Sequence, residues 1–452
     1  MKFHPALLML LVWAICIGLF YALPFQLENR SLSVYGFLIL SLFIATFCGA
    51  ALLAGPIRPQ APRVSKVTLD FKNTDRLLII VSIISLIAFV LDVRDRDLLD
   101  FSAAFEDRDA RAQALMAGTA SESSIWFQIG FFCYPAAFTY LVREIAFRAR
   151  PKAFDIFAFG ILPTLMGSLV TGGRSPLLYA IILAVYAYNL RKQLFARAAP
   201  VAQRRPRRPQ TTEPPRRKAA VLKLGPWSKG ALGIISALAM VYFVQVFVAR
   251  ADFVGGIESV FGIAKLYWGV SFVGPLADLM FDVLGFDTTY LIFVFGWYSV
   301  QGFVMSNVIF TEYDGPMLMG AYGIDLGSAL FRRLNPGFLA DGFAGLASIN
   351  TYGFIPSAFG SLYVDLKFLG LLPAALWGWI SGRVYRRVRE GSDPRWLMLV
   401  PFVVIGIVFS VVNTPLGFSN GFMIHFWLLV GFLLIKVKLR DPLASAALGR
   451  KT

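Results

Sequence analysis

The chain has 452 residues, of which 57% are hydrophobic and only 15% charged, with a formal net charge of +16 and a mean hydropathy of +0.65. No soluble core of this size hides so much apolar surface, which excludes an ordinary soluble domain. Apolar runs near the roughly 20 residues needed to cross a bilayer recur along the chain, and in lipid only helices satisfy every backbone group internally. The fold class is therefore an all-α polytopic membrane protein with about ten transmembrane helices.

In chain order, residues 1–190 carry spans at 5–24, 34–55, 77–91, 125–142, 154–170 and 176–190. The first is followed at once by another span and reads as a retained anchor rather than a cleaved signal. Spans five and six are separated only by the "TGGRS" of residues 171–175, short enough to require a tight hairpin. Residues 191–229 mix arginine and proline ("RRPRRPQTTEPPRRK"), which prevents an apolar face and predicts a disordered basic linker. A seventh span covers 230–248, a large outer region covers 249–365, and 366–440 holds spans at 368–382, 397–412 and 421–435 before the tail 441–452. In the outer region the run 289–310 is apolar enough to enter the bilayer. Parity of the flanking basic loops demands no crossing or two, and Asp278 and Asp282 make 265–284 a poor partner span, so helices lying at the outer interface are expected.

Orientation follows from the basic residues, which collect near cytoplasmic span ends. One set of loops holds Arg58, Arg63, Lys66, Lys72 and Arg76, then Arg143, Arg148, Arg150 and Lys152, then Arg383, Arg386, Arg387 and Arg389, then Lys436, Lys438 and Arg440. The other set is acidic or mixed. Both termini are then cytoplasmic, and topology accounts for the net charge without nucleic acid.

Cys16, Cys48 and Cys133 stand alone inside spans, and the histidines are His4 and His425 only, so no His/Cys metal site is available. No GxxxxGK[ST] motif is present to bind a nucleotide. Asp95 and Asp97 form a "DRD", but Arg94 and Arg96 interleave with them, which favours local pairing over a metal. What remains is a set of arginines at the outer boundary, where a charge is costly unless it is used. Arg174, in the glycine-flanked hairpin, is placed to grip a phosphate through its planar fork. Arg250, Arg332 and Arg333 follow the same logic. Glu312, Asp314, Asp325, Asp341 and Asp365 are the candidates for a general base, each with a surface or capping role as the alternative.

The hairpin "TGGRSPLL" and the segment "NTYGFIPSAFGSLYVDLKFLGLLP", which runs over 350–373, resemble the Wzy-type oligosaccharide repeat-unit polymerases. That family shows a G-S/G-R element between two spans and a Y-x-D-F-G-x-x-G element closing a large periplasmic loop. Here the second reads Tyr363-Val364-Asp365-Leu366-Lys367-Phe368-Leu369-Gly370, with Leu-Lys in place of Phe-Gly.

The resemblance implies a large membrane glycosyltransferase, related in fold to O-antigen ligases, in the bacterial inner membrane. Such an enzyme joins undecaprenyl-diphosphate-linked repeat units on the periplasmic face without a metal or other cofactor. It assigns catalysis to Arg174 and Asp365, and substrate binding to Tyr363; Arg250 is an additional catalytic candidate, and Arg332, Arg333 and Asn350 are additional substrate-binding candidates. The expected partners are the lipid-linked glycan and membrane lipids, with a chain-length regulator as a further candidate and no nucleic acid. A ligase passing the glycan to another acceptor, and a precursor transporter or flippase, are the competing readings. The concentration of mass in one late outer region, rather than in repeated halves, disfavours the transporter.

Overall fold

The computed structural model of the chain describes residues 3–28, 31–56, 67–94, 113, 124–171, 173, 175–198, 244–245, 247–248, 251–252, 255–324, 326–327, 330–331, 336–351, 356–391 and 393–439. Among these, eight helices are long and apolar enough to cross a membrane: Pro5–Ala22, Val34–Ala54, Lys72–Asp92, Ile125–Phe147, Ala153–Thr171, Phe286–Glu312, Ser357–Glu390 and Pro394–Val411. Gly421–Leu434 is a shorter apolar helix, and Ser175–Ala198 is a long one with charged residues at its end. The expected span 230–248, the basic linker and the tail lie largely or wholly outside the described residues.

The first helices set two ends to the molecule. Helix α1 (Pro5–Ala22) starts with proline at its first position, where no N–H is needed, and the His4 ring accepts the Ala6 N–H. The other His4 ring nitrogen lies 2.5 Å from the Gly55 carbonyl, at the far end of α2 (Val34–Ala54), so the two helices run antiparallel. At that same end β2 (Val67–Asp70), just before α3 (Lys72–Asp92), pairs antiparallel with β4 (Lys436–Leu439), with Asp70 opposite Lys436. We call this the basic end. At the opposite end β1 (Phe25–Leu27), in the α1–α2 turn, pairs with β3 (Val270–Phe272), register Phe25 to Phe272. These two-stranded sheets are an addition to the expected all-α pattern.

A buried ionic cluster closes the basic end. Glu144, whose side chain is fully buried, accepts from Arg143 at 2.5 Å, from Arg148 at 2.9 Å and from the Lys152 backbone N–H at 3.0 Å. Arg143 also pairs with Asp75 on α3, and Arg148 reaches Asp155 at 2.8 Å. Arg191 donates to the carbonyls of Ile145, an orphan acceptor in the last turn of helix Ala136–Phe147, and of Arg148 and Ala149 just beyond it. Two of the four basic residues expected here as free loop charge are thus neutralised by acids on three separate elements.

Glycines let the exit helix Leu371–Glu390 lie directly on α2. A methyl group added to Gly378 would strike the Phe47 carbonyl, and one on Gly382 the Ala51 carbonyl, so the backbones touch as small residues allow in membranes. Ser357–Glu390 is nevertheless not one straight crossing. A continuous helix would hold residues 359 and 377 about 27 Å apart, yet the rings of Phe359 and Trp377 meet at 6.2 Å. The chain reverses at Lys367, where φ is +49° and ψ −133°, a conformation that favours glycine. Ser357–Leu366 is therefore a re-entrant half-helix, starting among Trp13, Phe43 and Ser306 inside the bundle and ending at the hairpin apex.

The long helix Phe286–Glu312 also departs from a simple crossing. Trp297 packs 5.8 Å from Phe25, Asn307 exchanges hydrogen bonds with Ser33, and the Tyr313 carbonyl just beyond the helix accepts from Lys367. All three contacts lie toward the end opposite the basic one, so the helix runs across α1 and α2 and returns no chain to the basic end. Every residue from Val300 to Phe310 is buried in protein. Phe303 wedges between Phe20 and Phe37, and a methyl on Gly302 would meet the Val411 carbonyl.

Candidate functional site

The re-entrant helix, the segment after the transverse helix and the loop 413–420 converge near the end opposite the basic one. The local backbone is strained. Met319, Ser357 and Lys367 all hold positive φ (50°, 59° and 49°), and Ser419 and Asn420 do so in the neighbouring loop (56° and 62°). Non-glycine residues in such conformations persist only where the surroundings over-determine them, and they concentrate at functional sites.

Asp365 is at the centre and is 2% exposed. Its Oδ1 accepts the Tyr322 N–H at 2.9 Å and its Oδ2 the Gly323 N–H at 2.8 Å, while its own carbonyl accepts the Met319 N–H at 3.0 Å. The Val364 carbonyl takes the Leu318 N–H at 3.3 Å, so the whole turn 318–323 is strapped to the end of the re-entrant helix. Each carboxylate oxygen accepts from a backbone donor, which ties Asp365 to that turn. Of the other acids proposed as bases, Glu312, Asp314 and Asp341 are exposed, and Asp325 lies outside the described residues.

Around Asp365 stand hydroxyls and amides. A side chain at Gly323 would come within 2.8 Å of Asp365 Oδ2, 3.4 Å of Ser361 and 3.5 Å of Thr414, which shows how closely these groups face one another. The Thr414 hydroxyl donates to the Gly323 carbonyl at 2.6 Å, and the Ser361 hydroxyl, which donates to the Ser357 carbonyl at 2.8 Å, lies 3.4 Å from Asn413 Oδ1. Ser306 donates to the Pro356 carbonyl at 2.6 Å and fixes the start of the re-entrant helix. Tyr363 is buried edge-on against Phe310 at 5.2 Å. Burial, then the charges of Asp365 and Asp314, hold the Tyr313 hydroxyl well above its usual range, so it stays protonated and donates to the Pro316 carbonyl at 2.7 Å.

The same loop 413–420 reaches the other motif. Phe418, whose N–H donates to the Thr414 carbonyl at 3.1 Å, lies 6.0 Å from the ring of Tyr179, in the second turn of the helix that begins at Ser175. Tyr134 donates to the Ser419 carbonyl at 3.2 Å, and Gly167 packs against the Tyr134 ring. The segments flanking the hairpin and the Tyr363–Asp365 motif thus meet the two sides of one loop. Arg174, Arg250, Arg332 and Arg333 themselves lie outside the described residues, as do Asp95 and Asp97. Asn350 is exposed just past helix Pro336–Ser348, with φ +51°, and that helix meets the site through Phe343, 6.1 Å from Tyr322.

Sequence reasoning passed over Lys367, Ser361, Asn413 and Thr414. The signal for the last two was present in "NTPLG", a polar, proline- and glycine-bearing break between two apolar runs, as in "TGGRSP". The departure of this chain from Y-x-D-F-G has a structural counterpart, since Lys367 occupies the position whose dihedrals suit the motif's glycine.

These elements define a multi-pass α-helical membrane protein. No family model, curated protein or solved structure matches the chain.

Proposed function

We propose that this protein is a polysaccharide polymerase that joins undecaprenyl-diphosphate-linked repeat units at the end opposite the basic one, which is then the periplasmic face of a bacterial inner membrane. The observation that carries this reading is the meeting of the two motif segments, far apart in sequence, on the loop 413–420: Thr414 at Gly323 and Asp365, Phe418 at Tyr179. In this reading Arg174 stabilises the diphosphate leaving group, doing with a preorganised guanidinium what a divalent ion does elsewhere. Asp365 holds the turn 318–323 in place, Arg250 joins Arg174 in catalysis, and Tyr363, Arg332, Arg333 and Asn350 contribute to holding substrate.

Purified protein in liposomes, given lipid-linked repeat units, is expected to extend them into a ladder on a gel, with or without a strong chelator. Arg174→Lys keeps the charge but loses the fork, and is expected to slow extension about a hundredfold; Arg174→Ala should reach about a thousandfold. No ladder from the wild-type chain, or a wild-type ladder from Arg174→Ala, removes the proposal. The orientation is tested separately by reporter fusions, cytoplasmic after Arg205 and periplasmic at Pro316; the reverse pattern overturns it.

A further inference from the structure

Three features meet at the apex of the re-entrant hairpin. The first is Lys367 itself. Its dihedrals are those in which glycine is free and a side chain strained, yet a lysine is there. The second is how its ammonium is held. Nζ donates one hydrogen to the Tyr313 carbonyl at 2.7 Å, 3.8 Å from the Tyr313 ring centre and 5.3 Å from that of Tyr363. An ammonium carries three N–H bonds, so two are uncommitted among the described residues, and the two aromatic faces orient it. The third is what begins beside it. Leu369, Leu372, Leu376 and Trp379 are 57%, 69%, 56% and 47% exposed. Their i, i+3, i+7, i+10 spacing makes one apolar stripe, about 15 Å long, descending the exit helix from the apex.

Depth supports the same reading. Gly378 abuts Phe47 and Gly382 abuts Ala51; carried back along the pair, that register sets Lys367 level with the first turn of α2. A bilayer surrounding these helices therefore puts the ammonium at headgroup height and the stripe along the hydrocarbon.

We infer that Lys367 and the stripe Leu369–Leu372–Leu376–Trp379 form a docking site for a lipid phosphate, the ammonium binding a phosphate oxygen while the lipid chain lies along the stripe. Resting on the polymerase reading, the occupant is the isoprenoid diphosphate of a lipid-linked glycan. Its headgroup would then lie beside Tyr363, two residues from Asp365. No covalent step is assigned to Lys367; it positions the lipid.

The test is binding of labelled farnesyl diphosphate to the full chain in phosphatidylcholine nanodiscs. Wild type and Lys367→Arg are expected to bind alike, and Lys367→Gln about tenfold more weakly or worse. Lys367→Gly removes the charge and its bond to the Tyr313 carbonyl while relieving the backbone strain, and with a melting temperature near that of wild type it should lose binding equally. Leu372→Ser should weaken farnesyl diphosphate but leave competition by inorganic diphosphate unchanged. Undiminished binding by Lys367→Gly or Lys367→Gln overturns the inference. So does displacement by phosphatidylglycerol as effective as by the diphosphate, which would make the apex an ordinary lipid anchor. The two readings fail separately. Normal extension and binding by Lys367→Gly would sink this site and leave the polymerase standing, whereas Lys367-dependent binding by a chain that extends nothing would do the reverse.

Discussion

Glu144→Ala is expected to destabilise the protein by about 3–5 kcal/mol, the range for breaking a buried ion pair from one side. The size follows from how much that carboxylate serves. It lies fully buried and accepts from Arg143, Arg148 and the Lys152 backbone N–H. Removing it leaves Arg143, whose side chain is only 10% exposed, with Asp75 as its remaining acid. The Lys152 N–H loses its acceptor, and the turn that Arg148 and Asp155 close loses its centre. Glu144→Gln preserves shape and one acceptor oxygen, so it should cost about half as much. Thermal melting of the detergent-purified chain reads both. Protein that remains folded should keep its activity, because the cluster lies at the basic end and the candidate site at the other. An unchanged melting temperature for Glu144→Ala would mean the cluster is hydrated and weak, contrary to its burial.

The contrast between these two ends explains how far the sequence could be read. Hydropathy located the apolar helices because crossing a bilayer imposes a length and a composition that each segment satisfies alone. What stayed hidden depends on pairs distant in sequence. Glu144 reads as one more charge in a basic loop until Asp75, Arg148 and Asp155 are brought around it. Lys367 reads as a departure from a motif until its φ of +49° reveals a hairpin apex. Residues 357–366 look like the tail of an outer loop, since ten apolar and small residues are too short to announce a span. Only contact with Trp13 and Phe43 identifies them as re-entrant. Asp365 is singled out in the sequence by the motif it resembles, but its partners are not legible there, because they are backbone N–H groups that have no sequence signature.

Those partners give the last expected result: Asp365→Asn should abolish polymer by freeing the turn 318–323, not by removing a base. The carboxylate presents one oxygen to the Tyr322 N–H and the other to the Gly323 N–H. Asparagine keeps one acceptor and turns an NH2 toward the second N–H, so one charge-assisted bond is lost and two donors are left facing each other. With the residue 2% exposed, no bulk water repairs the loss, and about 1.5–3 kcal/mol of local stability should go with it. Asp365→Ala loses both bonds and should cost more. Hydrogen exchange separates the two roles. In wild type the Tyr322 and Gly323 amides are expected to be protected, and in Asp365→Asn at least one should exchange about ten- to a hundredfold faster, tracking the lost free energy. Thr414, which donates to the Gly323 carbonyl, holds the same turn from the other side, so Thr414→Val should reproduce a smaller increase and a partial loss of polymer. If polymer disappears in Asp365→Asn while both amides stay as protected as in wild type, the carboxylate acts on the substrate directly. If polymer reaches wild-type length, the turn it fastens has no part in the reaction.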